Sequence, residues 1–173
     1  LGAGGFNDGR GLIAALSYGA SGIAMGTRFL LTQESAVPDA IKAQYIKTPV
    51  TGTVVTKAID GYPQRVIRTD VVEQLERSSI ITRLFRALGY AFALRKHTET
   101  SFGALIQEGL AMRENQNLSW SQLAMAANAP MLTKASMVDG NLDVGILPTG
   151  QVVGVIEELP TVEVLVERVM QEA

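Results

Sequence analysis

Residues 1–30 read LGAGGFNDGRGLIAALSYGASGIAMGTRFL, and two glycine turns in them lie on either side of a helical segment. The first turn contains Gly2, Gly4 and Gly5, and the second is Gly26-Thr27. Glycine has no Cβ, so the backbone at both turns can approach a ligand closely and adopt conformations that other residues resist. The two turns are therefore the first candidates for a binding site.

The segment between the turns has the pattern of a helix followed by a buried strand. Asp8 is a candidate N-cap for a helix over residues 10–18. Gly19 stands where a left-handed glycine would end that helix. Residues 22–25, GIAM, predict a short buried strand. The apolar face of the helix is predicted to consist of three residues, Leu12, Ile13 and Leu16.

Two glycine turns at the ends of successive parallel strands favour phosphate binding. Backbone N–H groups at a helix N-terminus bind phosphate without a cationic side chain, and the loops after strands seven and eight of a (β/α)8 barrel commonly form such a site. A Rossmann fingerprint would need glycine where Asn7 stands, and a P-loop would need Lys-Ser/Thr where Arg10-Gly11 stands. The alternative is that these glycines only form tight turns.

Two segments of the chain resemble the FMN-phosphate segment of the nitronate monooxygenase superfamily, which also contains flavin-dependent enoyl reductases. They are residues 3–11, AGGFNDGRG, and residues 25–29, MGTRF. Residues 150–160, GQVVGVIEELP, resemble the C-terminal motif of the same superfamily. Further segments most resemble a bacterial subfamily of steroid-degradation reductases that act on the CoA ester of the C/D-ring remnant. These segments are residues 17–20, 32–40 and 120–122.

The resemblance implies an α/β fold: the C-terminal part of a (β/α)8 TIM barrel, followed by a mostly helical cap with a β-hairpin. Residues 1–37 would contain strands seven and eight with the phosphate-binding loops. Residues 38–141 would form the cap, and residues 142–173 a return segment and the last helix. Such a barrel needs about 250 residues. We therefore expect the chain to be the C-terminal portion of a larger protein, either truncated or accompanied by a separate N-terminal half.

Local patterns in the cap and the return segment support this division. Pro38 opens a helix whose apolar stripe is Ala40, Ile41 and Tyr45, and two β-branched runs within residues 53–68 predict the hairpin. Helical patterns follow from residue 70, with breaks near residues 78 and 98, and again after Ser119 and Pro130. A turn at residues 139–141 and a helix after Thr161 complete the chain.

By the same resemblance, the cofactor is FMN and its contacts lie in the two glycine turns. Arg28 either neutralises the phosphate further or pairs with a nearby carboxylate. The catalytic histidine of the family, where present, lies in a segment that this chain does not contain, so the catalytic residues are unknown. The implied FMN-binding residues are Gly4, Gly5, Ala24, Met25, Gly26 and Thr27, with backbone N–H groups and the Thr27 hydroxyl on the phosphate.

The candidate substrate contacts are Arg83, Arg86 and Gln151. The two arginines begin a basic run that continues through Arg95, Lys96 and His97, the single histidine. This run is either a solvated helix face or a cradle for the phosphates of a CoA substrate, because arginine binds phosphate bidentately. Gln151 either contacts the active site or satisfies backbone groups near the barrel mouth.

Three functions follow from the resemblance. The first is an FMN-dependent oxidoreductase that reduces or oxidises an acyl-CoA intermediate of steroid-ring degradation, with NAD(P)H as the electron donor. The second is a nitronate monooxygenase that uses O2. The third is a non-catalytic partial subunit that completes the barrel of a partner. The expected partners are the substrate and the missing N-terminal half of the barrel, and a homo-oligomer is an open alternative.

The composition is typical of a globular protein. Hydrophobic residues make up 47% of the 173 residues and charged residues 18%, and the net charge is −2. The chain therefore has no global field that favours nucleic acid. The absence of cysteine excludes disulfides and thiolate chemistry and favours a cytoplasmic location. No apolar run reaches the 18 residues that a membrane span needs, and we predict no metal site.

Overall fold

The structure, a computed structural model, describes residues 1–79, 82 and 128–173, and it confirms the α/β class. No helix in these described ranges is long and apolar enough to cross a membrane. A 3₁₀ helix spans Gln151–Val155. The other elements are β1 (Gly2–Ala3), α1 (Gly9–Ser17), β2 (Ile23–Ala24), α2 (Thr27–Leu30), α3 (Asp39–Ile46), β3 (Thr53–Thr56), β4 (Gln64–Ile67), α4 (Asp70–Arg77), α5 (Asn128–Met137) and α6 (Val162–Glu172).

The N-terminal part is a β1-α1-β2 unit with two parallel strands. Gly2 pairs with Ile23 and Ala3 pairs with Ala24. The side chain of Asp8 accepts a hydrogen bond from the N–H of Gly11 and caps α1, as predicted. The predicted helix end is also confirmed, since Gly19 has φ 87°. The unit is therefore the turn, helix and strand that the first 30 residues predict.

Close packing accounts for two glycines at the start of α1. A Cβ on Gly9 would lie 2.4 Å from the backbone oxygen of Val169 in α6. A Cβ on Gly11 would lie 2.8 Å from the ring of Phe6. Neither distance is possible without a shift of the neighbouring atoms. These glycines let α1 approach α6 and Phe6 closely, whereas Gly4 and Gly5 have open space around them.

The predicted hairpin is confirmed as the antiparallel pair β3–β4, in which Thr53 pairs with Ile67 and Thr56 with Gln64. A guanidinium nitrogen of Arg65 donates to the hydroxyl of Thr53 across the pair, at 2.9 Å. The hairpin also joins the C-terminal part of the chain, because Val66 forms a β-bridge with Pro148.

Two hydrophobic clusters form the described core. One lies around α3 and the 3₁₀ helix and contains Leu31, Ile41, Tyr45, Ile67, Leu147, Val152, Val153 and Ile156. The other joins the hairpin to α4 and α5 and contains Ala58, Ile59, Val66, Val72, Leu75, Leu132 and Ile146. In α6, Leu165 and Val169 are buried as predicted, behind an N-cap at Thr161. The C-terminal segment therefore shares a core with α3 and the hairpin.

Three details of the local predictions were wrong. Ala40 is exposed, so the buried face of α3 contains Ile41, Lys42 and Tyr45. The sequence predicts a buried strand at β2, but Ile23 is only partly buried and Ala24 is exposed. Helix α5 begins before Pro130, which lies in its first turn, where the missing N–H costs no helical hydrogen bond. The helices predicted between residues 83 and 127 lie outside the described residues.

Candidate functional site

The six predicted FMN-binding residues lie where β1 and β2 end. The strands are parallel and adjacent, with Ala3 opposite Ala24. Gly4 and Gly5 therefore follow β1 at the same edge at which Met25 and Gly26 follow β2. Ligands of open parallel sheets bind beyond the carboxyl ends of the strands. The structure thus brings the two glycine turns, about twenty residues apart in sequence, to one edge of the sheet.

The glycines in the two turns have different backbone requirements. Gly4 and Gly5 have φ values of 86° and 82°, a left-handed region that favours glycine. Gly26 has φ −86°, which any residue can adopt. A Cβ on any of the three would meet no described atom within 4 Å. Packing within the described structure therefore leaves Gly26 free to vary, and an approach of a ligand to the backbone is one reason for a glycine there.

Thr27 begins α2, directly after the second turn. Its side-chain oxygen accepts a hydrogen bond from the N–H of Gly150, at 2.8 Å. A threonine hydroxyl carries one donor proton and two acceptor lone pairs. The contact uses one lone pair, so the hydroxyl proton is available for a ligand oxygen.

The N-terminus of α1, in contrast, is occupied by carboxylates. The N–H of Gly9 donates to Glu172 at 2.9 Å, and the N–H of Gly11 donates to Asp8 at 3.3 Å. The hydrogen bond from Arg10 holds the pKa of the Asp8 carboxyl below its usual value, so this carboxylate is charged at neutral pH. A phosphate at the same place would be repelled. This leaves the Gly26 side, where no side chain caps α2, as the candidate phosphate turn.

Arg28 does not point toward that turn. It is only 3% exposed, and one guanidinium nitrogen donates to the backbone oxygens of Leu31 and Glu158, each at 3.3 Å. Burial lowers its pKa, and the charge of Glu158 acts in the opposite direction. The interaction with the charge of Glu158 agrees with the carboxylate alternative from the sequence, whereas the hydrogen bonds to two backbone oxygens were not predicted. The side chain ties α2 to the segment before α6.

Gln151 directly follows Gly150, whose N–H contacts Thr27 at the candidate phosphate turn. It is exposed and is the first residue of the 3₁₀ helix. Arg83 and Arg86, the other two substrate candidates, lie outside the described residues. Sequence reasoning missed Gly150 as a contact of Thr27, although Gly150 opens the C-terminal motif and that position was the available signal.

A cavity of about 220 Å³ lies against α6 and is separate from the two glycine turns. Its lining includes Asn7, Arg28 and Glu172, and it includes none of the six candidate FMN residues. Within the described part of the chain, the side-chain oxygen of Asn7 and the Nε atom of Arg28 are buried without a hydrogen-bond partner. The cofactor candidates therefore form an open edge, not this cavity.

The chain is similar in sequence to curated proteins, and two of them match it over 99–100% of its length. It is 50% identical over 173 residues to the (3aS,4S,5R,7aS)-5-hydroxy-7a-methyl-1-oxo-octahydro-1H-indene-4-carboxyl-CoA dehydrogenase of Mycobacterium tuberculosis, covering 100% of this chain and 49% of that protein. The Rhodococcus jostii protein of the same name is 47% identical over 171 residues, covering 99% and 48%. The chain spans about half the length of these relatives. A probable nitronate monooxygenase of Staphylococcus aureus is 39% identical over 77 residues, covering 44% of this chain and 22% of that protein.

The fold is similar to that of solved enzymes. FabK from Thermotoga maritima aligns with a TM-score of 0.62 and 27% identity, covering 98% of this chain and 42% of that protein. The nitroalkane oxidase of Streptomyces ansochromogenes aligns with a TM-score of 0.58 and 23% identity, covering 98% and 38%.

The family model described as nitronate monooxygenase matches residues 1–172, which is almost the entire chain. The motifs in both glycine turns and in the C-terminal segment fall within that match. The chain therefore belongs to the nitronate monooxygenase family.

Proposed function

We propose that this chain forms the FMN-phosphate-binding part of a flavin-dependent oxidoreductase that acts on an acyl-CoA intermediate of steroid-ring degradation. The observation that carries the proposal is the pair of glycine turns at one edge of a parallel sheet, in which the Cβ positions of Gly4, Gly5 and Gly26 meet no described atom within 4 Å. Family membership, with a named CoA dehydrogenase relative at 50% identity, supports an oxidoreductase with a flavin cofactor.

The residues at this edge fit the phosphate of FMN. Gly4 and Gly5 present backbone instead of side chain, and Thr27 presents a hydroxyl whose acceptor side is already held by Gly150. Backbone N–H groups and one hydroxyl can bind a phosphate dianion without a cation. Bound FMN supplies hydride or electron transfer. The role of these residues is to hold its phosphate, which orients the flavin toward the rest of the barrel.

The acyl-CoA substrate is favoured over a nitronate by the extent of the similarity. The two relatives named as CoA dehydrogenases match 99–100% of this chain, whereas the probable nitronate monooxygenase matches 44% of it. We propose that Arg83, Arg86 and Gln151 contact this substrate, with NAD(P)H as the electron donor. Nitronate oxidation by O2 is the second candidate, because the family model itself carries that activity in its name.

We further propose that β1 and β2 are strands seven and eight of a (β/α)8 barrel whose other half is supplied separately or by the same polypeptide. The alignments with FabK and nitroalkane oxidase support a partial barrel. The uncovered side chains of Leu1, Ile13 and Leu16 lie on this unit, and parallel sheets are normally covered on both faces. Residues 38–141 would form a cap over the rim.

Spectroscopy and turnover test the proposal in that order. The protein, purified with the remaining half of the barrel, should show the absorbance bands of bound flavin, and extraction should release FMN. The 5-hydroxy-7a-methyl-1-oxo-octahydroindene-4-carboxyl-CoA ester should then exchange electrons with the flavin under anaerobic conditions, and a nitronate should not. Absence of flavin from the purified protein would contradict the proposal that FMN is its cofactor. Turnover of the nitronate alone would establish the second candidate.

A further inference from the structure

Gly150 and Thr27 are 123 residues apart in sequence, and one hydrogen bond joins them at the candidate phosphate turn. The bond runs from the backbone N–H of Gly150 to the side-chain oxygen of Thr27, at 2.8 Å. A threonine hydroxyl in a helix often donates its proton to a carbonyl three or four residues earlier. Among the described residues, Thr27 has no such hydrogen bond, and its contact is with Gly150.

The segment that carries Gly150 is held firmly on both sides. Before it, the N–H of Thr149 donates to the backbone oxygen of Arg65 at 3.0 Å. The backbone oxygen of Pro148 accepts from the Tyr45 hydroxyl at 2.7 Å. After it, Val152 and Val153 are buried in the core of the 3₁₀ helix and α3. The donor at Gly150 is therefore placed by the core and not by a mobile loop.

We propose that the Gly150 N–H is a positioning group for the cofactor: it holds the Thr27 hydroxyl with its proton directed at the phosphate of FMN. The acceptor lone pair toward Gly150 is occupied, so the single proton must point elsewhere. The C-terminal motif that begins at Gly150 is then part of the phosphate site, although it comes last in the chain. This inference rests on the proposed function.

The backbone at Gly150 permits a selective test. Its φ of −85° and ψ of 164° lie close to the conformation that proline imposes, and proline has no N–H. Gly150→Pro therefore removes the donor, and its Cδ, which takes the place of the N–H hydrogen, displaces the Thr27 hydroxyl from its 2.8 Å contact. Gly150→Ala is the matched control, since it keeps the N–H and adds a Cβ 3.3 Å from the Thr27 oxygen.

The experiment compares the affinities of FMN and riboflavin, which differ by the phosphate, using quenching of flavin fluorescence in the complete protein. We expect Gly150→Pro to weaken FMN binding about tenfold and to leave riboflavin binding within about twofold, as expected for the loss of one hydrogen bond to a charged group. Gly150→Ala should weaken FMN binding less than Gly150→Pro does. Thr27→Ser should retain the preference for FMN, and Thr27→Val should lose it.

A double-mutant cycle separates positioning from a general structural role. In the Thr27→Val background, Gly150→Pro should cause no further loss of FMN affinity relative to riboflavin. If Gly150→Pro weakens both flavins equally, or leaves FMN unchanged, the positioning role is wrong. If the proline variant does not fold, the comparison of Thr27→Ser with Thr27→Val decides, and equal ratios of FMN to riboflavin affinity in these two variants overturn the proposal. Failure of the unmodified protein to bind FMN would instead overturn the proposed function.

Discussion

At the level of a single residue, Gly26 allows the proposed cofactor binding to be tested separately from folding. Its φ of −86° suits any residue, and its Cβ position meets no described atom within 4 Å. We expect Gly26→Asp to abolish measurable FMN binding, because a carboxylate beside a phosphate adds like-charge repulsion in a partly desolvated site. The thermal midpoint without FMN should change little. Isothermal titration with FMN and a melting curve measure the two effects.

Gly26→Asn is the control, because it has nearly the same shape without the charge. We expect it to bind FMN more weakly than the unmodified protein but more strongly than Gly26→Asp. Equal affinities of the two variants would show that steric exclusion, and not charge, decides. Unchanged FMN affinity in both would place the phosphate away from this turn.

Gly9 provides the opposite case, a glycine of the same motif that packing requires. A Cβ there would lie 2.4 Å from the Val169 backbone oxygen and 2.5 Å from Cβ of Glu172. We expect Gly9→Ala to lower the free energy of unfolding by about 1–3 kcal/mol, the usual range for overpacking. Urea denaturation measures this free energy. Gly26→Ala is the control, because the glycine that it replaces has open space around its Cβ position. Equal stability of the two variants would contradict the close packing of α1 on α6.

At the scale of elements, the buried side chain of Tyr45 joins α3 to the segment before the 3₁₀ helix. The hydroxyl of Tyr45 donates to the backbone oxygen of Pro148 at 2.7 Å and lies 3.7 Å from the sulfur of Met137. Burial raises the pKa of Tyr45 above its ordinary value of 10.0. The neutral phenol is therefore favoured in the folded state, so this contribution to stability is present below pH 10 and is lost as the pH rises further.

We expect Tyr45→Phe to lower the free energy of unfolding by about 1 kcal/mol near neutral pH, the usual net value of one hydrogen bond. The difference from the unmodified protein should shrink above pH 10, because phenylalanine cannot ionise. Urea titrations at neutral and alkaline pH measure this. Tyr18→Phe, at a 94% exposed position, is the control and should change stability by less than about 0.5 kcal/mol. A difference that does not depend on pH would contradict the buried, neutral phenol.

At the scale of the whole molecule, the β1-α1-β2 unit packs on α6 but leaves several apolar side chains without cover among the described residues. Leu1 and Tyr18 are 88% and 94% exposed, and Ile13 and Leu16 are about half exposed. Two parallel strands with open edges and apolar surroundings favour association with further strands. We expect FMN affinity to rise at least about tenfold when the other half of the barrel is present, because a site at a strand edge needs a fixed sheet.

Co-expression tests this expectation. The partner is the half of the Mycobacterium tuberculosis relative that this chain does not match, chosen because the matched half is 50% identical. A complex that copurifies and carries flavin is the expected result, and Leu16→Glu should weaken it. Equal FMN affinity of this chain with and without the partner half would contradict the need for a completed barrel.

The sequence alone determined the features that depend on residues close together in the chain. The capping of α1 by Asp8, the glycine end at Gly19 and the hairpin depend on backbone preferences over a few residues. The family also follows from short motifs, because each is contiguous and carries its residues in fixed spacing. The two glycine turns belong to this class, and their meeting at one edge follows from the parallel order of the strands.

Only the tertiary structure decided which groups meet across the chain. The N–H of Gly150 reaches Thr27 over 123 residues, Glu172 reaches Gly9 over 163, and Arg28 reaches the Glu158 oxygen over 130. No local pattern encodes such pairs, because they depend on how distant segments pack around a shared core. The exposure of the apolar face of α1 has the same cause. The spacing of its apolar residues places them on one face, but only a neighbouring segment can bury that face, and residues 1–30 do not contain one.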